Sequence, residues 1–450
     1  MNRLLLVSAL FTLALSSGSA QSAPDPASWH GWVVFDLANP VPPPPPADAT
    51  QDEAEDLKIL AGLRNERARE SVRFWDAGAP PYRWMQVAQQ EIASHNLGGP
   101  AATRAMALVA VAMNDATLAA WRAKYVYQRP RPSQVDPMIA PLVDTPSSPS
   151  YPSEHSVVAS AAAAVLGYLF PERKLALESM ASEAGFSRLF AGTDFPSDVT
   201  AGTLLGGAVA NAVIDWAKRD GSDMIFTGSF PPAPGRWSSA NPSFPLAGLW
   251  KPWALRSGSE FRLPAPPAFD SAEMKAQIEG VKDFGRTTQS NRVALFWQPS
   301  FIDPWIDWIN QAIFERRIDK DPRVAAGIYA LAMVAQHDAT IACWDTKYAF
   351  LEPRPVQVDA SIQTLFATPP HPSFPSGHAC TSAAAAGALA AIFPDAEQQL
   401  AVRAEEAGLS TFYAGIHYEN DVYQGLELGA AVARRVVERA LSPRPMTAGQ

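Results

Sequence analysis

Apolar residues run almost without turn signals through residues 101–121, 156–170, 199–216 and 379–393. No segment sustains the period-two alternation of a half-buried strand. The pattern predicts an all-α fold. The runs 156–170 and 199–216 are short or interrupted by polar residues, so they read as buried core helices rather than membrane spans. One further apolar run, residues 4–15, follows Arg3 and precedes Gly18-Ser19-Ala20. That is the layout of a secretory signal peptide, too short to span a bilayer comfortably. It predicts export to the periplasm or medium, with no transmembrane anchor after cleavage.

Between the apolar runs the chain is punctuated by proline. Residues 42–46 are all proline, and residues 231–237 and 264–269 are rich in it. With 450 residues, more than one folding unit is expected. The division read from the pattern is a signal peptide (1–20), a Pro-rich and acidic extension (21–56), an N-terminal helical bundle (57–228), a Pro-rich connector (229–290) and a C-terminal bundle (291–445). The bundles are copies of one unit. An offset of 223 positions links Asp115 to Asp338, Trp121 to Trp344, Lys124 to Lys347, Arg131 to Arg354, His155 to His378, Ser187 to Ser410 and Asp198 to Asp421.

Composition narrows the function. Charged residues make up 18% of the chain and the net charge is −9, with no basic run, which argues against nucleic-acid binding. A small anionic ligand in a locally basic pocket is compatible with that balance.

The candidate chemistry sits in the second copy. A helix starting just after His378 puts Ser376, Gly377 and His378 at its N-terminus, where free N–H groups and the helix dipole favour an oxyanion. Lys347 and Arg354 are seven positions apart, read as two turns on one helix face until Pro353 ends the helix. They supply fixed positive charge. His417 and Asp421 are four apart, a spacing that lets a carboxylate hold an imidazole in one tautomer.

Read in order, Lys347-x6-Arg354-Pro355, Pro375-Ser376-Gly377-His378 and Ser410-x6-His417-x3-Asp421 resemble the signature shared by type 2 phosphatidic acid phosphatases, bacterial class A acid phosphatases and vanadium-dependent haloperoxidases. The stretch from 229 to 440, with Pro234-Gly235-Arg236-Trp237, Phe296-Trp297 and residues 338–348, is similar to bacterial vanadium-dependent haloperoxidase-like proteins. The resemblance implies a vanadate cofactor, with His417 as the vanadium ligand and Lys347, Arg354, Ser376 and the Gly377 N–H around the equatorial oxygens. His378 would move protons, Asp421 would orient His417, and peroxide and halide would be the reactants. The alternative is a phosphomonoesterase without a cofactor, in which His417 attacks phosphorus and His378 protonates the leaving oxygen.

One position departs from the pattern. The family's third motif opens Ser-Arg and that Arg binds the anion, whereas here Ser410 is followed by Thr411. Loss of one such donor typically costs about 10²–10³ in rate. A second alternative is therefore an impaired oxyanion-binding homologue, unless another Arg compensates.

The first copy has diverged at the same points. Asp194 stands at the His417 position and Glu154 at the Gly377 position, while Arg188 is kept. It reads as a degenerate site, with a metal site on Asp194, Glu154 and His155, or Arg188 reaching across to the second copy, as the other possibilities. Cys343 and Cys380 both fall near the second site, as a disulfide or as two buried thiols. His371 is expected on an exposed loop at the pocket mouth, His337 in a supporting position, and His30 and His95 are incidental.

Overall fold

The computed structural model describes residues 31–34 and 42–441, so the signal peptide expected at 1–20 lies outside the described residues. The helices of the first copy are α1 (Thr50–Gly62), α2 (Glu66–Trp75), α3 (Pro81–Ser94), α4 (Gly99–Tyr127), α5 (Pro132–Val135), α6 (Glu154–Leu169), α7 (Lys174–Ala191) and α8 (Pro196–Ala217). The second copy repeats them in the same order. They are α9 (Ala272–Lys282), α10 (Thr288–Trp297), α11 (Asp303–Glu315), α12 (Pro322–Phe350), α13 (Pro355–Val358), α14 (Gly377–Ile392), α15 (Glu397–Tyr413) and α16 (Glu419–Leu441). The fold is all-α, and among the described residues the only β pairing is two isolated bridges in the connector. No described helix is long and apolar enough to cross a membrane.

The duplication thus reaches further upstream than the sequence motifs show. Helix α9 falls inside the segment read as connector, 229–290, because it is the counterpart of α1.

Helices α4 and α12, each 29 residues, pack on each other at the centre. Both are buried on nearly every face, as helices apolar all round must be. One continuous apolar core joins the two copies through them. Their starts follow simple rules. Pro100 and Pro322 occupy the first turn, and the Asp321 side chain accepts from the Arg323 and Val324 N–H groups.

The repeated buried aspartates, Asp115 and Asp338, anchor chain rather than carry chemistry. Asp338 accepts the N–H groups of Trp253, Ala254 and Leu255 at 2.8–3.2 Å. Asp115 does the same for Trp32, Val33 and Val34 at 2.8–2.9 Å. Each carboxylate docks an incoming segment onto its central helix.

Around this centre, α14 is clasped by α15 and α16. Glycine allows the closest approach. A Cβ on Gly429 of α16 would lie 2.1 Å from the Cys380 carbonyl oxygen of α14, and one on Gly206 of α8 would lie 2.2 Å from that of Val157. This contact lets the start of α16 reach the start of α14, where the Ser376 N–H donates to the Asp421 carbonyl at 2.9 Å.

Candidate active site

Four local structures bring the site together. Ser376 caps α14, its hydroxyl accepting from the Ala379 N–H, and the helix begins at Gly377, two residues earlier than expected. The Gly377 and His378 N–H groups are in the first turn and have no helical acceptor. Asp421 lies in the first turn of α16 and His417 just before it. Thr411 closes α15 from within its last turn.

Arg354 arrives by a different route from the one expected. Helix α12 ends at Phe350, and Leu351 takes a left-handed conformation with φ 54°. Arg354 therefore does not share a helix face with Lys347; it caps the short α13. The turn aims it at His417. Arg354 Nη1 donates to His417 Nε2 at 2.8 Å and to the Ile416 carbonyl at 2.7 Å.

His417 is buried, and its Nδ1 lies 2.8 Å from Asp421 Oδ2. A proton on Nδ1 donates to the carboxylate, which leaves the Nε2 lone pair to accept from Arg354. Burial, then the Arg354 and Lys347 charges, hold this imidazole well below its usual pKa, so it is neutral. Asp421 Oδ2 also accepts from the Ser373 hydroxyl at 2.6 Å and the Tyr418 N–H at 3.2 Å.

Lys347 Nζ donates to the carbonyls of Pro372, Ser373 and Pro375. Burial lowers its pKa to about 8, yet three carbonyl acceptors require three N–H groups, so it remains an ammonium at neutral pH. It braces the loop that carries Ser376, and its charge rather than a free N–H faces the cup. Lys124 makes the matching contacts to Pro149 and Ser150 in the first copy.

His378 donates from Nε2 to the Trp297 carbonyl at 3.1 Å. Burial brings its pKa down to about 4. Ser376 Oγ and Thr411 Oγ1 are 3.1 Å apart, so Thr411 is within reach of the site but brings no charge. Arg188 does not replace the missing arginine: it is tied to Asp76 at 2.7 Å within its own bundle.

Arg354, Gly377, His378 and His417 line a cavity of about 520 Å³. The first copy contributes walls to it through Ala93, Leu97 and Met106. His371, expected to be exposed, is half-buried and lines the same cavity. Its Nδ1 lies 3.0 Å from Arg354 Nη2, which holds the guanidinium from the side opposite His417. The only sequence sign of this contact is position: His371 aligns with Ser148, whose hydroxyl accepts from Arg131 at 2.9 Å.

In the first copy the same cradle is filled by the chain itself. Arg131 pairs with the Asp194 carboxylate, whose other oxygen takes the Ser153 hydroxyl at 2.7 Å. Glu154 lies 3.7 Å from Lys124 and 3.8 Å from Arg131. His155 bonds the Trp75 carbonyl through Nε2, as His378 bonds that of Trp297. Among the described residues no three metal-ligating side chains gather, so the metal site considered for Asp194, Glu154 and His155 is not formed. Cys343 and Cys380 are free buried thiols, not a disulfide. His337 is buried between the two central helices near Thr103, and His95 bonds Glu172.

A family model described as the PAP2 superfamily matches residues 103–222 and 325–440, more than half of the chain and one match per copy. The chain belongs to the PAP2 superfamily. Its fold is that of solved haloperoxidases. A bacterial vanadium-dependent iodoperoxidase superposes with a TM-score of 0.63 and 24% identity, over 80% of this chain and 96% of that one. A holo-type bacterial vanadium-dependent chloroperoxidase gives 0.57 and 14%, over 76% and 92%. The decaprenylphosphoryl-5-phosphoribose phosphatase of Mycobacterium tuberculosis is 38% identical over 94 residues, 20% of this chain and 49% of that protein. The chain thus spans about half the length of the curated relatives it matches.

Proposed function

We propose that this PAP2 protein is an exported, vanadate-dependent haloperoxidase-like enzyme that oxidises halide with hydrogen peroxide. The observation that carries the reading is a neutral His417, its Nε2 lone pair directed at Arg354 on the floor of the 520 Å³ cavity. The match in fold to two haloperoxidases over nearly their whole length supports it.

The residues present fit vanadate. In the first copy the equivalent cradle binds anionic oxygens, those of Asp194 and Glu154, through Arg131, Ser153 and Lys124. The second copy keeps the cations and the serine but has His417 and Gly377 in place of both carboxylates. The same cations and serine without those carboxylates make a locally positive cradle that suits an anionic ligand. Vanadate, when bound, would supply the activation of peroxide toward halide, the overall change being halide, peroxide and a proton to hypohalous acid and water.

The chain's own contribution is placement. His417 would be the vanadium ligand through Nε2, held by Asp421. Arg354 would turn from Nε2 to the anion's oxygens, still fixed by the Ile416 carbonyl and His371. Ser376 and the Gly377 N–H would take further oxygens, and Lys347 would contribute charge from below. His378, neutral at working pH, would accept and return a proton at Nδ1 because Nε2 holds its proton on Trp297.

The local likeness to a phosphatase favours a second reading, in which the same residues hold phosphate, His417 attacks phosphorus in line and His378, protonated at Nδ1 for that step, gives the proton to the leaving oxygen. Two assays on one preparation separate these. The first reading predicts halide oxidation that requires both orthovanadate and peroxide. The second predicts aryl phosphate hydrolysis that orthovanadate inhibits. Anion binding without either activity would leave an oxyanion-binding homologue, impaired at Thr411.

A further inference from the structure

Glu352 stands outside the cup but touches the group that orients His417. It lies in the turn between α12 and α13, and its side chain is buried. Its carboxyl lies close enough to that of Asp421 for each to shift the other's titration. Each has a buried oxygen that no other donor reaches, Glu352 Oε2 and Asp421 Oδ1. Asp421 Oδ2, by contrast, takes His417, Ser373 and Tyr418.

Two ionised carboxyls in contact in a dry interior repel, so one keeps a proton. Three donors favour the charged form of Asp421. The proton therefore belongs on Glu352, where it satisfies both orphaned oxygens.

The duplication supplies an internal comparison. Position 129 corresponds to 352 by the 223-residue offset. Arg129 Nη1 donates to Oδ1 of Asp198, the counterpart of Asp421, at 2.7 Å. Asp198 Oδ2 takes the Phe195 N–H, as Asp421 Oδ2 takes that of Tyr418. The same aspartate oxygen thus faces the same repeat position in both copies. In the first copy that position is a permanent cation, and the aspartate holds no imidazole. In the second it is an acid that can donate only while protonated, and the aspartate holds His417.

We propose that Glu352 is a positioning residue of the oxyanion site: as a neutral acid it donates to Asp421 Oδ1 and so fixes the Nδ1–H tautomer of His417. An arginine would satisfy the same oxygen but neutralise Asp421 and loosen its hold on the imidazole. A neutral acid leaves the charge of Asp421 facing His417. This role rests on the reading of His417 as the anion's partner.

Burial, then the Asp421 charge, push the Glu352 carboxyl well above the usual range. The charged and titratable groups around it are Asp421, Lys347, Arg354 and Tyr418. When Glu352 does ionise, as pH rises through that raised pKa, a second negative charge appears below the cup and opposes anion binding.

The test compares wild type, Glu352→Gln and Glu352→Leu in the full chain. Calorimetric titration with inorganic phosphate across neutral and alkaline pH reads affinity, and nitrogen NMR of the ligand-free imidazole reads the His417 tautomer. Glu352→Gln, a neutral donor that cannot ionise, should match wild type near neutrality and bind several-fold more tightly at alkaline pH. Glu352→Leu should bind about 10-fold more weakly than Glu352→Gln throughout and mix the tautomers. Lys347, lowered to about 8, titrates in all three proteins and cancels in the comparison. A Gln variant as weak as the Leu variant would overturn the role, as would a Leu variant with wild-type affinity and tautomer. If wild type binds no phosphate, the anion-site reading fails, while the tautomer comparison still decides the part played by Glu352.

Discussion

Thr411→Arg restores the donor that the third motif lacks, and the structure sets what it should do. Thr411 is buried, with its hydroxyl donating to the Gly408 carbonyl at 2.8 Å and lying 3.1 Å from Ser376 Oγ. Beside it is a cavity of about 100 Å³ lined by Gln298, Phe366 and His378. An arginine has four more heavy atoms than threonine, which that space can take at interior packing density. Its guanidinium would add one charge-assisted bond to a bound anion, about 1.5–3 kcal/mol, or roughly 10- to 100-fold in affinity. Ser376 would be released from Thr411 as well. Without an anion, a third cation joins Arg354 and Lys347 in a buried place, so the ligand-free variant should melt below wild type by a few degrees. Saturating phosphate should reverse the order. Calorimetry with inorganic phosphate and paired melting curves test both halves. A folded variant whose phosphate affinity is unchanged or lower would refute the reasoning.

Three further outcomes follow from the geometry. Asp421→Asn presents His417 with an amide able to stabilise the wrong tautomer, and turnover in whichever assay is active should fall by about 10²–10⁴; a loss under threefold would contradict the assigned hydrogen bond. Gly429→Val places a side chain where a Cβ alone would lie 2.1 Å from the Cys380 carbonyl, and should cost about 3 kcal/mol or more by urea unfolding, with an unchanged midpoint as the contrary result. His371, His378 and His417 all have pKa values depressed by burial. Depressed groups stabilise the fold above the unfolded histidine pKa near 6.5, and that contribution is lost as pH falls; for His378 the window runs down to about 4 and holds at most ~3 kcal/mol. His378→Gln should therefore flatten the acid side of the stability curve between those limits. A curve parallel to wild type would show that His378 is not held neutral.

Much of this site was legible in the sequence, for reasons that differ by residue. Helix content followed from long apolar runs without turn signals or period-two alternation, and the constant offset exposed the duplication because no insertion separates the motifs of the two copies. The Asp421–His417 pair was legible because both residues lie within one turn of the α16 start. Arg354 was placed near the site for the wrong reason: a left-handed Leu351 ends α12, and leucine gives no local sign of that conformation. Glu352 and His371 carried no motif of their own. Their roles depend on contacts with Asp421 and Arg354 that only the tertiary arrangement creates. The walls given by Ala93 and Met106 were hidden for the same reason, since they come from the copy whose own cradle is closed by carboxylates.

The account stands on His417 Nε2 as the atom beneath a bound oxyanion. Calorimetric titration of orthovanadate into wild type and His417→Ala, with melting curves to show both are folded, measures this most directly. The prediction is saturable binding by wild type and its loss in the variant. Equal binding by the two proteins would contradict it.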